Sequence, residues 1–405
     1  MIAKSEVVKS LKNVKLVIGN GFDLYCHLKT SYSDYFRYYN KKNDYFKNWI
    51  DKFRNYARWY VDVNDEDHRE YWIDFDNWDI VNVWDFFFFL VSQEKDVDII
   101  KWRWCDIESK IEESLSDPLG SKDCYKWSLV FNLLFQKKGA DYYSLETCIL
   151  ASVVYRKNGE KIFSSKNEFY EFLLQQLKLF EKNFGRYIYH QHVNDTMRNS
   201  GYITENSLFK ADSRSTIERL CDPKNLVSID SFNYDSVDIP ELEHIFHNIN
   251  GDIDAPIFGI DSSKFRVDDP RNIFSKTNRR MELDMMKDYM FESDIFDNLI
   301  IFGHSLNPAD YSYFFSVFDK VEITNLGKDT KIIFAFSIYD ENRREQIKSG
   351  LRKAVFRLFH DYSIYKGNET FANRLLDALT TQGKVLMFEI PYIEVNPKPD
   401  YFCKL

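Results

Sequence analysis

Two glycines separated by one residue, Gly19 and Gly21, open the stretch with the clearest chemical potential, because a backbone without Cβ can approach a phosphate or a ribose. A helix behind them would aim its first N–H groups at an anion. Leu24 stands where a third glycine would complete G-x-G-x-x-G, so the dinucleotide fingerprint is incomplete. Asp23 suits two tasks, bonding ribose hydroxyls or capping the following helix. Asn233 can orient a ribose or a water through its amide, or close an Asx-turn. His304, just before Ser305, contacts a ligand or bonds the local backbone. Glu108, one turn after Trp104, reads as a solvated or salt-bridged carboxylate. His244 and His247 form H-x-x-H, but on a strand their odd spacing puts them on opposite faces, which argues against a shared metal.

Short apolar runs must position these groups. The run 14–18 (VKLVI) is β-branched and stops at Gly19, as a buried parallel strand does. Similar runs lie at 226–229, 244–249, 256–258, 299–302, 331–336 and 385–390. Helical patterns at 309–318, 341–356 and 370–381 separate the later ones. Nearly every run ends in a small or polar cluster: Gly19 to Asp23, Ser231 to Asp235, Asn248 to Asp252, Gly259 to Asp261, and Gly303 to Ser305. Ligands of open α/β sheets bind outside the carboxyl ends of the strands, so these clusters are expected to meet in one nucleotide-binding crevice.

Between about 41 and 215 the pattern is helical, with Trp and Tyr at helical spacing and few glycines, for example over 168–184. A capped helix is expected to start at Thr30-Ser31 and carry Tyr35, Phe36 and Tyr39. The expected fold is α/β, a Rossmann-like, mostly parallel sheet with a large α-helical insertion. Its core is 1–40 plus 216–405 and its insertion 41–215.

Composition narrows the function. With 44% apolar residues in 405, the chain can bury a core. Its 54 basic and 63 acidic residues give a net charge of -9, which opposes nucleic-acid binding except through a local basic patch, and no basic stripe stands out. The six cysteines show no C-x-x-C pair, so they are read as reduced and mostly buried. The 35 Phe and 26 Tyr are read as core. Residues 1–12 lack an apolar h-region, and the run 86–91 is far below the ~20 residues of a membrane span, so the expected location is the cytoplasm.

The stretch Ile18-Gly19-Asn20-Gly21-Phe22-Asp23-Leu24, with Leu28-Lys29-Thr30-Ser31-Tyr32 after it, closely resembles the opening of AbiH bacteriophage abortive-infection proteins. Trp104 to Glu108 is similar to that family's W-S-D-x-E, Phe232-Asn233-Tyr234 to its F-N-Y, Gly259-Ile260-Asp261 to its G-I-D, and Gly303-His304-Ser305 to its G-H-S. These motifs in turn resemble, over short pieces, those of sirtuin-like NAD-consuming proteins. That second resemblance implies a sirtuin-like nucleotide site. Its cofactor-binding residues would be Gly19, Asn20, Gly21, Phe22, Asp23, Tyr234, Asp235, Gly251, Gly303, His304 and Ser305. Asn233 would position ribose and water, and the residue before Gly251 would be the general base.

That residue is Asn250, a neutral amide that cannot accept a proton, and loss of a general base costs about 10²–10⁴ in rate. His247 substitutes only if the loop brings it round. Two functions follow: an antiphage effector hydrolysing NAD or a related nucleotide, without a metal, or a nucleotide-sensing or protein-binding module in which the site is inactive. The partners this admits are a nucleotide, a phage component as trigger, and a second copy of the chain in a homo-oligomer. Neither a membrane nor nucleic acid is expected.

Overall fold

The computed structural model describes residues 8–26, 28–42, 82–92, 104–118, 125–136, 143–197, 205–236, 239–282, 295–367 and 372–392. The chain divides into two compact units, Met1–Lys29 with His192–Ile249 and Asp288–Leu405, and Thr30–Gln191 with Asn250–Lys287.

The first unit is built on six strands: β1 (Val14–Ile18), β2 (Leu226–Ser231), β3 (Phe246–Asn248), β4 (Asn298–Phe302), β5 (Lys331–Ser337) and β6 (Val385–Ile390). Their spatial order is β3-β2-β1-β4-β5-β6, and every pairing is parallel. This is the doubly wound, Rossmann-like arrangement. The two-residue alternation of the strands serves two cores. Val14, Leu16, Ile18, Ile300 and Phe302 pack on one face with Phe22, Tyr25, Ile217 and Leu220. Val17, Leu299, Ile301, Ile332 and Phe334 pack on the other with Phe314, Phe318, Leu358, Phe359 and Leu379. Because helices cover both faces, the strands read as almost unbroken apolar runs.

The second unit contains the helices Tyr32–Lys42, Val83–Ser92, Trp104–Leu115, Trp127–Gln136 and Leu145–Lys157, and the helix Lys166–Met197 as far as Gln191. Its aromatics are core: Trp84 and Trp127 are each 0% exposed, with ring centroids 5.2 Å apart. Ser31 caps the first of these helices, its Oγ accepting from the Asp34 N–H at 3.2 Å. The run 86–91 lies inside the buried helix Val83–Ser92. Two buried ion pairs link 250–287 to the helices: Lys276 Nζ with Glu108 at 2.7 Å, and Arg279 with both oxygens of Glu181 at 3.0 and 2.7 Å. Hence this segment packs with the helical unit, although its sequence position suggests the α/β core.

Three expectations need correction. His244 lies in a 3-10 turn, Pro240–Ile245, because Pro240 opens a turn, and the strand is only Phe246–Asn248. The segment 256–258 is not a strand; its Ile257 N–H donates to the Asn250 carbonyl at 2.8 Å, and an isolated bridge just beyond it joins Ile260 to Ser275. The helix expected over 341–356 runs on to Tyr365, since Leu358, Phe359 and Tyr362 continue its buried stripe. Much of 41–215, including Cys124, and residues 370–371 and Cys403 lie outside the described residues. Cys26, Cys148 and Cys221 are buried free thiols. Among the described residues no helix is long and apolar enough to cross a membrane, and no three His, Cys, Asp or Glu side chains gather as metal ligands.

Candidate functional site at the sheet edge

In this strand order the chain leaves β1 toward β2 and β3, then returns to place β4 on the other side of β1. The carboxyl ends of β1 and β4 therefore flank the switch point, where doubly wound sheets bind ligands. Gly19-Asn20-Gly21 follows β1, Gly303-His304-Ser305 follows β4, and Phe232-Asn233 follows β2. Within the first unit these three clusters meet.

The glycines meet one another. A Cβ on Gly21 would lie 2.7 Å from Gly303 Cα, and one on Gly303, whose φ is +71°, would lie 2.3 Å from Phe22 N. The Gly21 N–H donates to the Gly303 carbonyl at 2.8 Å and the Phe22 N–H to the Gly19 carbonyl at 2.7 Å. The helix here, Asn20–Tyr25, begins inside the glycine motif and is one and a half turns long. Amides on which a pyrophosphate would rest are thus committed to carbonyls of the fold. The small residues let two strand-end loops touch. Phe22, 0% exposed, belongs to the core.

Asn233 and Asp23 form the polar heart of the cluster. Asn233 Nδ2 donates to Asp23 Oδ1 at 2.7 Å and to the Gly19 carbonyl at 3.2 Å. Neither an Asx-turn nor a helix cap accounts for this pair. Both donors of the amide face the protein, which leaves Oδ1 as the acceptor, and Oδ1 is buried without a hydrogen-bond partner. Such an atom costs about 1–3 kcal/mol of desolvation. It fits a hydrogen-bond donor, such as a hydroxyl or a water.

The two histidines near the sheet edge are held differently. His304 Nδ1 accepts the Leu306 N–H at 2.9 Å, so its proton sits on Nε2, which lies 3.5 Å from Asp310 Oδ2. Its ring is wedged against Phe232 and Phe314, with centroids 4.3 and 5.1 Å away. Of the two alternatives for His304, the local backbone bond is the one made. His247 turns its Nδ1 toward Asp230, 3.4 Å from Oδ1, on the sheet face that carries Lys15. Asn250 belongs to the second unit, where its Oδ1 accepts from Arg280 Nη2 at 2.7 Å.

The remaining candidates divide between the units. Tyr234 and Asp235 are 2% and 7% exposed, Asn20 is half-buried and Ser305 is exposed. Gly251, at φ +83°, lies in the second unit, where a Cβ would strike the Ala255 carbonyl at 2.0 Å. Asp252 and Asp261 in that unit accept from backbone N–H groups of their own turns. Glu108 is salt-bridged and buried at 7% exposure.

Sequence reasoning missed a charged network beneath the sheet edge. Lys15 Nζ lies 3.1 and 3.0 Å from the two oxygens of Asp230, both side chains being 0% exposed, and Tyr313 OH donates to Asp230 Oδ2. Burial pushes the Asp230 carboxyl up, but His247, Lys15 and Tyr313 outweigh it and hold it below the usual carboxylate range. The signal was present: one charge inside each of two adjacent buried strands. The Glu181 and Arg279 pair was missed as well.

The family model described as bacteriophage abortive infection AbiH matches residues 16–334, and the chain belongs to that family. It thereby carries a role in phage abortive infection. No curated protein and no solved structure matches the chain.

Proposed function

We propose that the protein serves abortive infection as a nucleotide-responsive effector that binds NAD or a related nucleotide at the carboxyl edge of the sheet and does not cleave it through a histidine base. The observation that carries this reading is the buried, unpartnered Oδ1 of Asn233, beside the carboxylate of Asp23. An acceptor pair of that kind suits ribose hydroxyls. Because Oδ1 is out of solvent contact, a ligand reaches it only when neighbouring chain moves, which gives binding a conformational readout. The protein works in the cytoplasm in this reading, singly or as a homo-oligomer, and a phage component supplies the trigger. Binding in place of hydrolysis is supported by His304, whose two ring nitrogens face the Leu306 N–H and Asp310, and by Asn250, an amide engaged with Arg280.

The test is a thermal-shift titration of the full chain with NAD and ADP-ribose, with mass spectrometry of the same samples, in the presence and absence of phage lysate. A ligand-dependent shift that disappears in Asn233→Ala, with NAD intact, is expected. Nicotinamide release abolished by Asn233→Ala would replace sensing with hydrolysis. No shift with any nucleotide, with or without lysate, removes the nucleotide from the reading.

A further inference from the structure

The helix Arg344–Tyr365 buries Val355, Leu358, Phe359 and Tyr362 against the sheet. At 100° per residue, Lys353, Phe356, Arg357, His360 and Ile364 share the opposite stripe. Arg352, Lys353, Phe356 and Arg357 are exposed, Phe356 at 48% and Ile364 at 44%. The flanking cations are taken: Arg344 pairs with Glu341 and Glu389, and Lys348 with Glu389. Arg352 stands 3.9 Å from Glu345, and Arg343 Nε donates to the amide of Gln346. Among the described residues, Arg343, Lys353 and Arg357 have no acidic partner in salt-bridge range. On a chain of net charge -9 this side of the helix thus gathers Arg343, Lys353 and Arg357 about the exposed ring of Phe356, with Asp361 one turn beyond Arg357. The sequence shows no obvious basic stripe, since these cations are spread over 343–357; the helix aligns them.

We propose that this face binds single-stranded nucleic acid, with phosphates on Arg343, Lys353 and Arg357 and a base stacked on Phe356. Arg343 and Arg357 are fourteen positions apart, about 21 Å along a helix, which spans several successive phosphates. Cations beside an exposed aromatic are the combination that grips a single strand without reading its sequence. A membrane surface fits less well, because the continuous apolar face of this helix is already buried in the core and only scattered apolar side chains face outward.

The experiment is fluorescence anisotropy of the full chain with labelled oligothymidylate and oligouridylate of about 20 nucleotides. Binding at about 50 mM salt should weaken with a slope of about -2 in log K against log salt. The double variant Lys353→Glu/Arg357→Glu should lose on the order of tenfold or more, its fold checked by circular dichroism. Phe356→Ala should lose on the order of tenfold with the slope unchanged. Should the double variant not fold, Arg357→Gln alone reads the face, its slope shallower by about 0.7. Absence of binding by the parent chain, or equal affinity in the folded charge-reversed variant, overturns the proposal. So does a preference of this face for an acidic peptide or anionic vesicles over the oligonucleotides.

Discussion

Asn233 Nδ2 stands 2.7 Å from Asp23 Oδ1, joining side chains that are 1% and 2% exposed at the ends of neighbouring strands. The bond locks the amide so that only its oxygen is left over. Asn233→Ala should destabilise the first unit by about 1–3 kcal/mol, because a buried carboxylate loses a donor. Asn233→Asp sets two carboxyls side by side, so one of them holds its proton to a raised pKa. Stability of that variant is therefore kept at low pH and lost as pH rises, and urea midpoints at pH 5 and pH 8 should show the gap to the parent widening at the higher value.

Lys15 and Asp230 form a fully buried ion pair within the sheet. Asp230→Ala should cost about 3–5 kcal/mol, because it leaves an ammonium buried beneath the strands, whereas Lys15→Met with Asp230→Leu should recover most of that loss. The Asp230 carboxyl titrates below its ordinary value, so its contribution is complete above the unfolded pKa of about 3.9 and disappears as pH falls through the lower folded value. Acid unfolding followed by circular dichroism should be steeper below about pH 4 in the parent than in the apolar double variant.

Asp85 behaves in the opposite sense. Burial pushes its carboxyl up to about 7, although Tyr35, Asn82 and Asn183 bond it and pull it down. The folded state then holds a proton that the unfolded chain has released, so stability falls as pH rises from about 4 to 7. The slope reaches about 1.4 kcal/mol per pH unit at most. Asp85→Asn should flatten that slope and make the protein more stable than the parent at pH 8, as thermal melts across this range will read.

Glu108 and Lys276 close a buried ion pair at 2.7 Å inside the second unit. Glu108→Ala should destabilise that unit by about 3–5 kcal/mol, visible as faster amide exchange over 260–280. Unchanged exchange there would show that the pair is dispensable to the packing of this segment.

By itself the sequence determined the architecture and the family. The apolar runs that end in Gly19, Ser231 and Gly303 marked strands of a parallel sheet, because burial on both faces leaves no other pattern for such a strand. The strand-end motifs marked AbiH membership. Tertiary structure alone decided what those motifs touch. Gly21 reads equally well as a phosphate contact or as room for Gly303, since a missing Cβ does not say which neighbour fills the space. His304 and His247 were ambiguous for a similar reason: an imidazole becomes a base or a brace according to what its two nitrogens face, and those partners lie on other elements. Lys15 and Asp230 are 215 residues apart in the chain, and only the pairing of β1 with β2 makes their charges one buried unit.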